Sequence, residues 1–214
     1  MEKLFSRREV IRFGWEATKK NFWFFCWVLM IVFVVSGISS FANKGMEKAP
    51  FFAGLINLTA VIFGIIIQMG IIKITLKITD GQTPVFDDLF SETKLFWRYA
   101  GATLVYAGIV VAGLVLFIVP GIIWGLKFQF YRYLIVDKKM GIMESFRKSA
   151  EITTDAKLDL FLLGLLFLGI TAIGVLSFGI GLFVAVPVVM IATAFVYRKL
   201  LARVPSADVA VPAQ

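Results

Sequence analysis

The side chains with the most chemical potential in this 214-residue chain lie in one stretch, "FIVPGIIWGLKFQFYRYLIVD", residues 117–137. Trp124, Lys127, Gln129, Tyr131 and Arg132 stand there among aliphatic residues. An ammonium and a guanidinium attract phosphate, and amphipathic rings settle at headgroup level. These five residues therefore form a candidate lipid-headgroup site, with ordinary interfacial anchoring as the competing reading. Lys127 is the most informative of them, because an ammonium deep in an apolar run needs a carbonyl, a lipid phosphate or water beside it. Asn57 and Gln68 are the strongly polar side chains of another apolar run. They read as interhelical hydrogen-bonding groups or, in the rival reading, as cavity-lining groups on a solute path. Four acids, Asp80, Asp87, Asp88 and Glu92, sit beside Lys77 and Lys94. Such a group has the ligand type for Mg²⁺, but a solvated face balancing the lysines is the commoner origin. No metal or other cofactor is expected.

Catalysis at membrane depth needs paired groups, such as two carboxylates or a serine with a base. The chain has no histidine at all, which removes the commonest general base and metal ligand. No Asp or Glu falls inside the apolar runs, and no glycine pattern matches a nucleotide-binding fingerprint. The expectation is a protein that is not an enzyme and not a carboxylate-driven pump. The net charge of +8 would suit nucleic acid. However, the charges are confined to the gaps between apolar runs, which a membrane topology explains better.

The elements that must carry these residues follow from the same runs. The chain is 59% hydrophobic with a mean hydropathy of +0.88, beyond what a soluble domain of this size shows. A bilayer core needs about 20 apolar residues as a helix, and spans at about 22–41 and 51–72 satisfy this. The first is expected to be a retained span rather than a cleaved signal, since Glu2, Glu9 and Glu16 precede it. The runs Tyr99–Val136 and Leu160–Tyr197 would reach about 57 Å as single helices, nearly twice the core thickness. Each must fold back, at Pro120-Gly121 and at Phe178-Gly179-Ile180-Gly181. That gives spans at about 99–119, 121–136, 160–178 and 180–197. The fold class is thus all-α: a single six-span membrane domain over 1–201, built as three hairpins, with a disordered tail at 202–214. With both termini cytoplasmic, every Lys and Arg except Lys44 and Lys48 lies on the inner side, as the positive-inside rule demands. Cys26, the single cysteine, reads as a small buried hydrophobe.

Each hairpin is preceded by an amphipathic, charge-rich segment. Val10, Phe13 and Ala17 share a helical face in the first. Phe86, Leu89, Phe90 and Phe96 do so in the second, and Met143, Phe146 and Ala150 in the third. Three cytoplasmic interfacial helices are expected. Gly121 with Gly125, and Ala60 with Gly64, have the spacing of close helix approach. The segments "VPGIIW", "VD" and "GIMESFRKSAEIT", leading into a Gly-rich hairpin, resemble a bacterial family. It is the membrane domain found ahead of some glycerophosphoryl diester phosphodiesterases and in related stand-alone membrane proteins of unknown function. The catalytic barrel of those enzymes is missing, so their activity is not carried over. The resemblance implies a multi-helix bundle in the bacterial cytoplasmic membrane that handles or senses lipid. Membrane phospholipids are the expected partners. A homo-oligomer or an envelope complex is a third reading, beside a small transporter or channel with a cavity between the hairpins.

Overall fold

The computed structural model describes residues 5–45, 49–177 and 179–204, and every regular element among them is helical. The order is α1 (Arg7–Lys20), α2 (Phe22–Gly45), α3 (Pro50–Thr79), two short 3-10 turns (Phe86–Leu89 and Thr93–Leu95), and α4 (Phe96–Leu116). Then come α5 (Ile118–Phe128), α6 (Tyr131–Lys138), α7 (Ile142–Ile152), α8 (Lys157–Leu176) and α9 (Leu182–Leu201). Four segments among the described residues are long and apolar enough to cross a bilayer: Phe51–Thr79, Phe86–Leu116, Lys157–Leu176 and Leu182–Leu201. The pair Arg7–Lys20 and Phe22–Ile38, bent by 87°, makes a fifth if it is one broken span. Large apolar side chains point outward along these helices, among them Trp23, Phe33, Leu104 and Val115. Such a surface suits the acyl interior of a bilayer.

The chain reverses at Phe117, which is extended between α4 and α5, three residues before the Pro120-Gly121 expected from sequence. Pro120 lies in the first turn of α5, where its missing N–H costs nothing. The two helices meet at a glycine pair: a methyl added to Gly113 would lie 2.8 Å from the Gly121 Cα. At the next reversal Gly179 adopts φ +79°, while Phe178 lies outside the described residues.

The stretch expected as one span at 121–136 is two short helices. The break at Gln129–Phe130 is bridged by α7. Ser149 Oγ donates to the Lys127 carbonyl at 3.0 Å and accepts the Phe130 N–H at 3.2 Å. Thr153 Oγ1 lies 3.0 Å from the same carbonyl. Side-chain hydroxyls thus replace backbone bonds that the interrupted helix cannot make, and Ser149 and Thr153 are fully buried there. On α7 the expected face is only partly inward: Phe146 is buried while Met143 is exposed. The segment before α4 is not one amphipathic helix but the two 3-10 turns; Leu89 is buried and Phe86 and Phe90 stay half-exposed. Helix α1 meets the expected pattern more closely. Val10 is buried and Phe13 stacks on Phe195 of α9, with ring centroids 4.3 Å apart.

One end of the bundle gathers the charges. Arg198 of α9 bonds both oxygens of Asp80 (2.9 and 2.7 Å) and Asp137 Oδ2 (2.8 Å), tying α9 to the ends of α3 and α6. Lys77 pairs with Asp88 at 2.5 Å, and Glu92 holds both Lys73, at 2.9 Å, and Lys139. Lys199 pairs with Glu9 of α1 at 2.6 Å.

A candidate ligand chamber around Arg132

Arg132 projects from α6, two residues past the break that α7 bridges. Its Nε donates to the Tyr131 hydroxyl at 2.8 Å, Tyr131 donates to Thr103 Oγ1 at 3.0 Å, and Thr103 donates to the Tyr99 carbonyl at 2.8 Å. The guanidinium stands over the rings of Tyr131 and Tyr99, 5.5 and 5.9 Å from their centroids. Every group in this relay has a partner, so the arginine is held in one orientation. What it lacks is an acid: among the described residues Arg132 forms no ion pair.

Arg132 lines a chamber of about 980 Å³ between α2, α3, α4, α6 and α9. The walls are mostly aliphatic, from residues such as Leu29, Ile67 and Met190, and the polar groups on them are few. Gln68, Thr75, Tyr99 and Tyr133 line the chamber together with Arg132, and Tyr99 donates to Gln68 Oε1 at 3.5 Å. Asn57 and Ser36 also line it. From Asn57 to Thr75 is about 27 Å along α3, a length close to the thickness of a bilayer core. Ala60 and Gly64 contribute to this space rather than to a helix contact: both line the chamber, and a methyl on Gly64 would meet nothing within 4 Å. A large, mainly apolar cavity with a few convergent polar groups is the usual form of a small-molecule site.

The seven residues singled out from sequence separate here. Asn57, Gln68 and Arg132 line the chamber, whereas Trp124, Lys127, Gln129 and Tyr131 do not. Trp124 lies against Gly113. The Lys127 ammonium sits 5.4 Å from the Phe128 ring centroid, and Gln129 donates to the Leu126 carbonyl at 3.1 Å. Tyr131 is buried, stacked at 5.1 Å on Phe146, and reaches the chamber only through its bond to Arg132. Sequence reasoning passed over Tyr99, Thr75 and Tyr133, since a tyrosine or threonine in an apolar run gives no signal of which neighbour it will face.

Three of the four acids singled out from sequence are held by cations. Asp80 pairs with Arg198, Asp88 with Lys77, and Glu92 with two lysines. Burial and the neighbouring Lys73 charge pull the Lys139 ammonium below its ordinary value. Glu92 is thus one carboxylate shared by two lysines.

The family model described as "Protein of unknown function (DUF975)" matches residues 97–204, from the start of α4 to just past α9. Nothing in that match links the chain to the phosphodiesterase membrane domain. No curated protein and no solved structure matches the chain.

Proposed function

We propose that this chain, which belongs to the DUF975 family of proteins of unknown function, is a non-enzymatic multi-pass protein of the bacterial cytoplasmic membrane that holds the acidic head of an amphiphile at Arg132. The observation that carries the reading is the half-buried, oriented Arg132 in the wall of an apolar chamber, with no carboxylate among the described residues paired to it. An unpaired cation removed from water costs several kcal/mol. An anionic headgroup removes that cost, and a guanidinium offers phosphate or carboxylate two parallel bonds. The aliphatic walls beyond it then receive the hydrocarbon part. Counting α5 and α6 as one broken crossing, and α2 as another, gives six crossings with both termini cytoplasmic. The bias of Lys and Arg towards one side supports that threading.

The length of the chamber favours a second reading, in which the amphiphile or a small solute moves through it from the Asn57 end to the Arg132 end. Both readings require the same anion contact.

The test is native mass spectrometry of protein released from mild detergent. The wild type is expected to carry an acidic amphiphile, and Arg132→Gln to lose it with an affinity drop of about 30-fold or more, as for other truncated buried charge pairs. Lys127→Ala, outside the chamber, is expected to retain it. Equal retention in Arg132→Gln, in a sample that melts like the wild type, overturns the proposal.

A further inference from the structure

Helix α1 carries cations on the side away from its packing with α9. Arg7, Arg8, Ile11, Arg12 and Trp15 follow the spacing that places residues three, four and eight apart on one helical face. Together with Leu166 of α8 they line a second cavity, an open groove of about 540 Å³. The local acids are already engaged or insufficient. Glu16 takes Arg12 at 2.7 Å on an exposed surface, and Glu9 is turned to Lys199 at 2.6 Å. Among the described residues Arg7 and Arg8 have no carboxylate partner.

The floor of the groove decides the occupant. Leu166 is the tenth residue of α8 (Lys157–Leu176), roughly 14 Å along that helix from its charged start. Around it Leu165, Leu166 and Phe161 face outward, the surface that acyl chains cover in a bilayer. Two guanidiniums without a carboxylate, Arg7 and Arg8, with Arg12 beside them, border an acyl-facing surface and call for an anion that is tethered to hydrocarbon. Nucleic acid or an acidic peptide would satisfy the arginines and leave Leu166 and Ile11 unused. Trp15, about half exposed at the rim, has the ring type that settles at headgroup level.

We infer that the α1–α8 groove binds an anionic phospholipid of the surrounding bilayer, with the phosphate between Arg7, Arg8 and Arg12 and an acyl chain against Ile11 and Leu166. This site shares no lining residue with the Arg132 chamber. It makes α1 a lipid-reading element, drawing acidic lipid to one flank of the bundle by the attraction that basic residues exert near a membrane surface.

The experiment uses the full chain in phosphatidylcholine nanodiscs containing a minor fraction of brominated lipid, either phosphatidylglycerol or phosphatidylcholine. The Trp15 contribution to fluorescence is isolated by comparison with Trp15→Phe. Brominated phosphatidylglycerol is expected to quench Trp15 several-fold more efficiently than brominated phosphatidylcholine. That preference should vanish in Arg7→Gln/Arg8→Gln/Arg12→Gln, where Arg8 and Arg12 are exposed and Arg7 is partly so, and persist in Arg132→Gln. Equal quenching by the two lipids in the wild type overturns the inference, as does a preference that survives the triple substitution. A preference lost in Arg132→Gln but kept in the triple variant overturns it too, since the lipid near Trp15 would then belong to the chamber. Failure of the chamber proposal alone leaves the Trp15 result unchanged.

Discussion

Gly70→Ala is expected to destabilise the bundle by about 3 kcal/mol or more, a change of one methyl group. At Gly70, α3 backs directly onto the turn Phe86–Leu89, and an added methyl would lie 2.3 Å from both the Cα and the carbonyl oxygen of Leu89. Those are backbone atoms, so no rotamer change relieves the clash. The turn cannot shift cheaply either. Leu89 is buried against α3, Asp88 accepts the Val85 N–H at 3.0 Å and pairs with Lys77, and Glu92 is held by Lys73 and Lys139. Detaching the turn forfeits the burial of Leu89, about 2 kcal/mol, together with those pairs. Thermal unfolding in detergent reads the effect, with Gly169→Ala as the control, since a methyl there meets nothing within 4 Å. A wild-type melting temperature for Gly70→Ala would refute the close packing of this turn on α3.

The second large effect is expected at Arg198. Its guanidinium joins two carboxylates from different elements, one of them through a two-pronged contact, and Tyr197 donates to the same Asp137 at 2.9 Å. In Arg198→Gln, Asp137 keeps only Tyr197 and a looser contact with Lys138 at 3.6 Å. Loss of one partner from a buried pair costs about 3–5 kcal/mol. The Arg198 side chain is a quarter exposed, and solvent screening reduces the figure to about 2 kcal/mol. For a chain of this length that is a drop in melting temperature of about 4–8 °C. Arg198→Lys should rescue little, because an ammonium cannot span Asp80 and Asp137 as a planar fork does. Full rescue by lysine would mean that the site needs only a point charge.

The contrast between these two sites marks how much the sequence reveals. The apolar runs were legible because a bilayer imposes length and composition on any helix that faces it, and Phe51–Thr79 and Leu182–Leu201 announce themselves on those grounds. The fold-back of Tyr99–Val136 was legible for the same reason, but its position was not. Pro120 is harmless in the first turn of a helix, so the reversal settles at Phe117, where Gly113 and Gly121 can touch. The break after Lys127 is invisible locally, since the hydroxyls that satisfy it come from Ser149 and Thr153, 22 and 26 residues further on. Asp80 looked like one member of an acidic patch balanced by nearby lysines, yet its partner Arg198 is 118 residues away. Asn57, Gln68 and Arg132 could each be singled out as polar groups in apolar surroundings. Only the packing of α3 beside α6 puts them on one chamber, and no local periodicity records that pairing.

The most direct measurement is a single-particle density map of the full chain reconstituted in nanodiscs containing acidic phospholipid. The chamber reading predicts elongated non-protein density along α3, with its head within hydrogen-bonding distance of the Arg132 guanidinium. A chamber filled with water alone, or collapsed so that Arg132 pairs with a carboxylate of the chain, would contradict it.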